Sequence, residues 1–116
     1  MSTCVLIVDD EPAVRSIAVD ILSEAGFDTI PAADAGQALQ VLTQETEGVD
    51  VLLTDVRIPG GMNGLELARV AKRKRPNIGV VVTSGYFAAD FDSAGVLRKP
   101  WSASELVERV KKAVAR

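Results

Sequence analysis

The stretch Val49-Asp50-Val51-Leu52-Leu53-Thr54-Asp55 is apolar for a few residues and then stops at a carboxylate. Val51 to Leu53 show no polar–apolar alternation. That predicts a strand buried on both faces, as in a parallel sheet covered by helices. Pro59-Gly60-Gly61 breaks the chain just beyond, so Asp55 falls where the strand ends. In open α/β sheets, ligands bind outside the carboxyl ends of the strands. A carboxylate there is placed for chemistry. Taken alone, Asp55 suits a turn equally well, because Asp is common in turns. The rest of the chain decides between the two.

Cys4 to Val8 is a second apolar run, and it ends in Asp9-Asp10-Glu11. Pro12 suits a first helical turn. Val14, Ile17, Ala18, Ile21, Leu22 and Ala25 then recur at helical spacing, and Gly26 is placed to end that helix. Phe27 to Ile30 reads as a short strand. Asp34 with Gln37 resembles a capping box before the stripe Ala35, Ala38, Leu39, Leu42. Asn63 and Glu66 mark a third helix that carries Leu67, Ala68 and Ala71 inward and stops at Pro76. Its basic run Arg69, Lys72, Arg73, Lys74 and Arg75 reads as a solvated helix end, favoured by the macrodipole, rather than a nucleic-acid patch. Ile78 to Thr83 is a fourth strand, ending at Ser84-Gly85. Tyr86 to Ala94 shows no long stripe and is expected to hold at most one or two helical turns. Gly95 to Arg98 is a fifth strand, ending at Lys99-Pro100, and Ser102 with Glu105 caps a last helix.

Strands and helices thus alternate, which implies a parallel sheet with helices on both faces. Right-handed crossovers put every strand's carboxyl end on one edge. Asp9 and Asp10, Asp55, Ser84 and Lys99 meet there. At 116 residues the chain is expected to form one domain, 1–116, large enough for a real core. Its net charge of −3 argues against a nucleic-acid partner. The absence of His excludes imidazole catalysis and His metal sites. The lone Cys4 forms no internal disulfide and has no zinc-type spacing around it. No apolar run reaches the roughly 18 residues of a membrane span. No basic segment precedes the first apolar run as in a secretory signal, so a cytoplasmic protein is the default.

Carboxylates crowded on one edge repel each other at neutral pH, and a hard divalent cation relieves this. Oxygen ligands with water suit Mg²⁺. With an ammonium and a hydroxyl alongside, the set fits a phosphoryl group, whose transfer is mainly positioning and charge neutralisation. A carboxylate can itself be the nucleophile and become an aspartyl phosphate.

Over essentially its whole length the chain resembles the receiver domain of two-component response regulators. The resemblance rests on Asp9-Asp10, Asp55, Ser84-Gly85 and Lys99-Pro100, each at a strand end. It implies a flavodoxin-like (βα)5 three-layer sandwich with a five-stranded parallel sheet in the order 2-1-3-4-5. It also implies that Asp55 is the phosphoacceptor. Asp10, Asp55 and the backbone carbonyl of Arg57 would hold Mg²⁺, with Asp9 acting mainly through a metal-bound water. Lys99 would pair with Asp55 and then with the phosphoryl oxygens, and its bond to Pro100 would be cis. Ser84 would hydrogen-bond the attached phosphoryl group, with Thr83 as the alternative.

Three departures stand out. Many receivers carry Tyr or Phe three residues before the lysine; Val96 stands there, so no aromatic switch is expected at that site. Only 14 residues separate Ser84 from Lys99, resembling a variant class whose fourth helix is reduced or missing. Tyr86 and Arg57 lie two residues past Ser84 and Asp55 and are expected to shield the acyl phosphate, with Arg57 able to pair with Glu11 instead. The leading expectation is a monomeric phosphorelay switch. A histidine kinase or phosphotransfer protein would load it, and it would then bind an unknown downstream protein differently, with no nucleic-acid or membrane partner. No output domain is expected after the last helix, as in a stand-alone receiver or one taken from a larger chain. One alternative is a Mg²⁺-dependent aspartyl phosphatase, which usually needs a second carboxylate where Arg57 stands. The other is a receiver-like module that is never phosphorylated.

Overall fold

The computed structural model describes residues 3–44, 48–85 and 96–114. Within them the elements run β1 (Cys4–Val8), α1 (Pro12–Glu24), β2 (Asp28–Ala32), α2 (Ala35–Gln44), β3 (Val51–Asp55), α3 (Gly64–Lys74), β4 (Gly79–Ser84), β5 (Val96–Arg98) and α4 (Ala103–Ala113). The expected short helix after Ser84, and the shielding by Tyr86, fall on residues 86–95, outside the described residues.

All four strand pairings are parallel, and the order is β2-β1-β3-β4-β5. The order anticipated from the resemblance is the one observed. Side chains of a strand alternate between faces. Val5 and Ile7 of β1 therefore join α1 and α4 through Ala18, Leu22, Leu106 and Val110. Leu6 and Val8 join α2 and α3 through Ala38, Leu42, Leu67 and Ala71. This is why the apolar runs lack alternation: both faces are cores. Burying one such Leu stabilises the fold by about 1.5–3 kcal/mol.

The helix ends follow their sequence signals. At Gly26, where φ is +97°, α1 closes in a Schellman arrangement. Phe27 N donates to Leu22 O at 3.0 Å and Gly26 N to Ser23 O at 3.1 Å. The Asn63/Glu66 and Ser102/Glu105 capping boxes both form. At α2 the Asp34 carboxylate accepts from Gln37 N, but the Gln37 side chain reaches Ala33 N instead of closing the box on Asp34. The basic residues Arg69, Lys72, Arg73 and Lys74 are exposed, as a solvated helix end requires.

β4 is shifted by one residue, to Gly79–Ser84 from the expected Ile78–Thr83, and β2 departs further. β2 runs on to Ala32, through Pro31, where the sequence indicated an end at Ile30. Proline has no N–H for a ladder, so it signals against a strand interior. β2 pairs only with β1 and is an edge, where that missing donor faces no partner strand.

Candidate functional site

The carboxyl ends of β1, β3, β4 and β5 converge as the topology requires. Asp9 follows β1, Asp55 ends β3, Ser84 ends β4 and Lys99 follows β5. Lys99 Nζ donates to Asp9 Oδ2 at 2.8 Å and to Asp55 Oδ2 at 3.1 Å, with Glu11 Oε1 farther off at 3.8 Å. The ammonium is thus shared between two carboxylates, with the shorter bond to Asp9. Asp9 and Asp55 are buried, whereas Asp10 is exposed. The Lys99–Pro100 bond is cis, as the resemblance implied.

Asp55 is fixed through its backbone. Thr54 Oγ1 donates to Asp55 O at 2.9 Å, and Gly64 N donates to Val56 O at 2.7 Å. A Cβ at Gly64 would collide with the Asp55 carbonyl, so only glycine lets α3 start this close to the end of β3. Asp9 is held from three directions. Its N–H donates to Ala32 O, its carboxylate accepts from Glu11 N at 3.0 Å, and Arg15 Nη1 donates to its carbonyl at 2.7 Å.

Thr83 and Ser84 are both buried, and in the parallel register Thr83 stands opposite Asp55 while Ser84 stands opposite Arg98. Ser84 O accepts from Lys99 N at 2.9 Å, which ties the ends of β4 and β5 together at the lysine. Arg57 lies on the exposed side of the loop after β3.

The electrostatics follow from this packing. Burial pushes the Asp55 carboxyl up from its ordinary value, and the Asp9 charge adds to that; Lys99 pulls it down without cancelling the rise. Burial alone would lower the Lys99 ammonium, but its hydrogen bonds to Asp9 and Asp55, with their charges, hold it above its usual value. One carboxylate oxygen each of Asp9, Asp10 and Asp55 lies within 4.8 Å of the others. Three carboxylates against one ammonium leave a net negative pocket of hard oxygen donors, a set that suits Mg²⁺.

Beside this pocket an apolar groove of about 420 Å³ runs between α1 and the β5–α4 turn, lined by Val14, Ile17, Gly85, Lys99, Pro100 and Trp101. Ile17 is half exposed, the one exposed large hydrophobic among the described residues. In the sequence Val14 and Ile17 fall at the same helical spacing as the core residues Ala18 and Leu22, and nothing there assigns a role to Gly64, Arg15 or Trp101. The signal for Gly64 was its place just after the Asn63 cap; Ile17 gave none, since one stripe position looks like another.

The chain belongs to the response regulator receiver domain family, whose family model matches residues 5–111. It is 33% identical to sporulation initiation phosphotransferase F of Bacillus subtilis, across 97% of this chain and 94% of that protein. It is 34% identical to the sensor kinase CckA of Brucella abortus, but there it spans only 12% of the relative's length. Against the putative response regulator NtrX-like of Rickettsia bellii it spans 24%. Among solved structures, a response regulator receiver protein from Sinorhizobium medicae superposes with a TM-score of 0.87 at 27% identity, covering 97% of this chain and 94% of that one. The receiver domain of the hybrid histidine kinase CckA gives 0.80 at 35% identity, covering 95% and 97%. The flavodoxin-like fold and a receiver's part in phosphoacceptor signalling follow from this membership.

Proposed function

We propose that Asp55 is the phosphoacceptor of a two-component phosphorelay, with residues 1–116 acting as one receiver domain. The observation that carries this is the Lys99 ammonium bonded at once to Asp55 and Asp9 at the end of the sheet. It holds the acceptor oxygen in place and supplies positive charge where phosphoryl oxygens arrive. The donor is a phosphohistidine protein, either a histidine kinase or a phosphotransfer protein. The Asp55 carboxylate attacks phosphorus, the P–N bond to the donor imidazole breaks, and an acyl phosphate forms. Water later cleaves that bond and restores the carboxylate.

Asp10, Asp55 and the Arg57 carbonyl are the residues proposed to hold Mg²⁺, with Asp9 acting through water. The bound ion neutralises charge on the pocket and on the phosphoryl oxygens. Lys99 stays on the phosphoryl group as Asp55 loses its free charge, and Ser84 donates its hydroxyl to it, Thr83 being the alternative. Glu11, 3.8 Å from Lys99 Nζ, and Arg57, exposed after β3, are the residues proposed to modulate the site. Arg57 stands where a phosphatase would keep its acid–base carboxylate, so the acyl phosphate is a stored signal and no independent turnover is assigned. The apolar groove with Ile17 adjoins Lys99, so a donor helix covers that groove when its histidine reaches Asp55. A downstream protein then reads the loaded state. The default location is cytoplasmic; none of the described helices is long and apolar enough to cross a membrane.

Incubation with acetyl phosphate and Mg²⁺, followed by intact mass measurement, tests the proposal. Gain of one phosphoryl mass by the wild type and none by Asp55→Asn supports it. An unchanged wild-type mass refutes it.

A further inference from the structure

Trp101 stands between the acceptor pocket and the groove, two residues after Lys99. Its indole Nε1–H is buried and has no hydrogen-bond acceptor among the described residues. An unpaired buried donor costs about 1–3 kcal/mol, and native structures keep few of them. On one side the ring lines the 420 Å³ groove with Val14 and Ile17. On the other it lines a void of about 10 Å³ whose walls include Asp9, Asp55 and Thr83. That void is at the lower limit for a single water, so the ring has no room to move inward. Among the described residues the groove, at about 420 Å³, is wide enough for the ring to turn outward, where solvent would offer the N–H a partner. The ring as it lies is therefore held by its neighbours, not by a bond of its own.

The ring packs against the core beneath α1 and α4, and Lys99, which lines the same groove, is in reach of the chemistry. Lys99 divides its bonds between Asp9 and Asp55 at 2.8 and 3.1 Å. A phosphoryl group on Asp55 replaces one of those acceptor oxygens and adds new ones farther out. An ammonium that follows them pulls on the Lys99-Pro100-Trp101 turn, whose backbone meets β4 where Lys99 N donates to Ser84 O. We propose that Trp101 is a positioning residue that carries the state of Asp55 to the α1 groove, its ring turning outward when Asp55 is loaded. The groove that fits the donor before transfer then fits it less well after transfer, which favours donor release. Such a side chain has two arrangements whose populations the phosphoryl group shifts.

This inference rests on Asp55 being the phosphoacceptor, and the test separates the two. The chain has one Trp, so its indole N–H gives one NMR resonance. Spectra are recorded with Mg²⁺ and with Mg²⁺ plus excess acetyl phosphate, and intact mass is read on the same samples. The expected result is a gain of phosphoryl mass, a displaced indole resonance, severalfold faster exchange of its proton with water and easier quenching of Trp emission by acrylamide. Asp55→Asn shows none of these changes. A gain of mass with the indole resonance, its exchange and its quenching all unchanged overturns the role of Trp101 and leaves the phosphoacceptor reading standing. Absence of any mass gain overturns both.

Discussion

Asp55 sits in a pocket that disfavours its own charge. Its folded-state pKa lies above the ordinary 3.8, with burial the leading cause. A carboxyl shifted that way stabilises the fold fully below pH 3.8, and that contribution is lost as the pH rises through the folded value. At neutral pH the ionised group is a cost. Metal-free Asp55→Asn should therefore melt above wild type at pH 7, and the gap should close towards pH 3. Added Mg²⁺ should raise the wild-type melting midpoint more than that of the variant. Lys99 behaves in the opposite sense at the alkaline end. Its folded pKa is raised above 10.5, so its contribution is complete below that pH and fades as the pH climbs through the folded value. Lys99→Met strands two buried carboxylates and should cost about 2 kcal/mol at pH 7, the scale of a hydrogen bond between charged groups. Chemical denaturation of both proteins at pH 7 and above pH 11 measures it, and the difference should shrink at the higher pH.

At the scale of elements, the site depends on where strands stop and helices start. Gly64 begins α3 against the Asp55 carbonyl. Gly64→Ala forces α3 and the end of β3 apart and should destabilise by about 1–3 kcal/mol, as overpacking does. It should also slow labelling by acetyl phosphate, because the end of β3 that carries Asp55 shifts. Asn63→Ala removes only the cap and should cost about 1 kcal/mol with labelling unchanged, which separates helix stability from acceptor placement. These elements were legible in the sequence because each signal is local: Pro12, Gly26, the Asn63/Glu66 and Ser102/Glu105 pairs, and apolar runs without alternation. Pro31 misled because a proline argues against a strand unless the strand is an edge, and edge position is a property of the whole sheet. The sharing of Lys99 between Asp9 and Asp55 was likewise out of reach. Spacing brings both residues to one rim but says nothing of which oxygen the ammonium meets first.

For the molecule as a whole, parallel order is what makes scattered residues into a site. Asp9, Asp55, Ser84 and Lys99 span most of the chain and share a rim only because all five strands point the same way. That rim continues into the α1 groove, where Ile17 is half exposed. Ile17→Glu should leave labelling by acetyl phosphate unchanged, since that small donor needs no groove. It should slow transfer from a phosphohistidine protein about tenfold, the equivalent of about 1.4 kcal/mol. Side-by-side rates with the two donors read the difference. The groove was not legible in advance because Val14 and Ile17 share the helical period of true core residues. Among the described residues, the packing of α4 and the β5–α4 turn decides which of them stays uncovered.

The most direct test of the account is to find where the phosphoryl group sits. Borohydride reduction of the acetyl-phosphate-treated protein, followed by peptide mass mapping, converts an acyl phosphate to an alcohol at the residue that carried it. Reduction at Asp55 alone, dependent on Mg²⁺ and lost in Lys99→Met, is the predicted result. Reduction at Asp9 or Asp10, or at no residue, would contradict it.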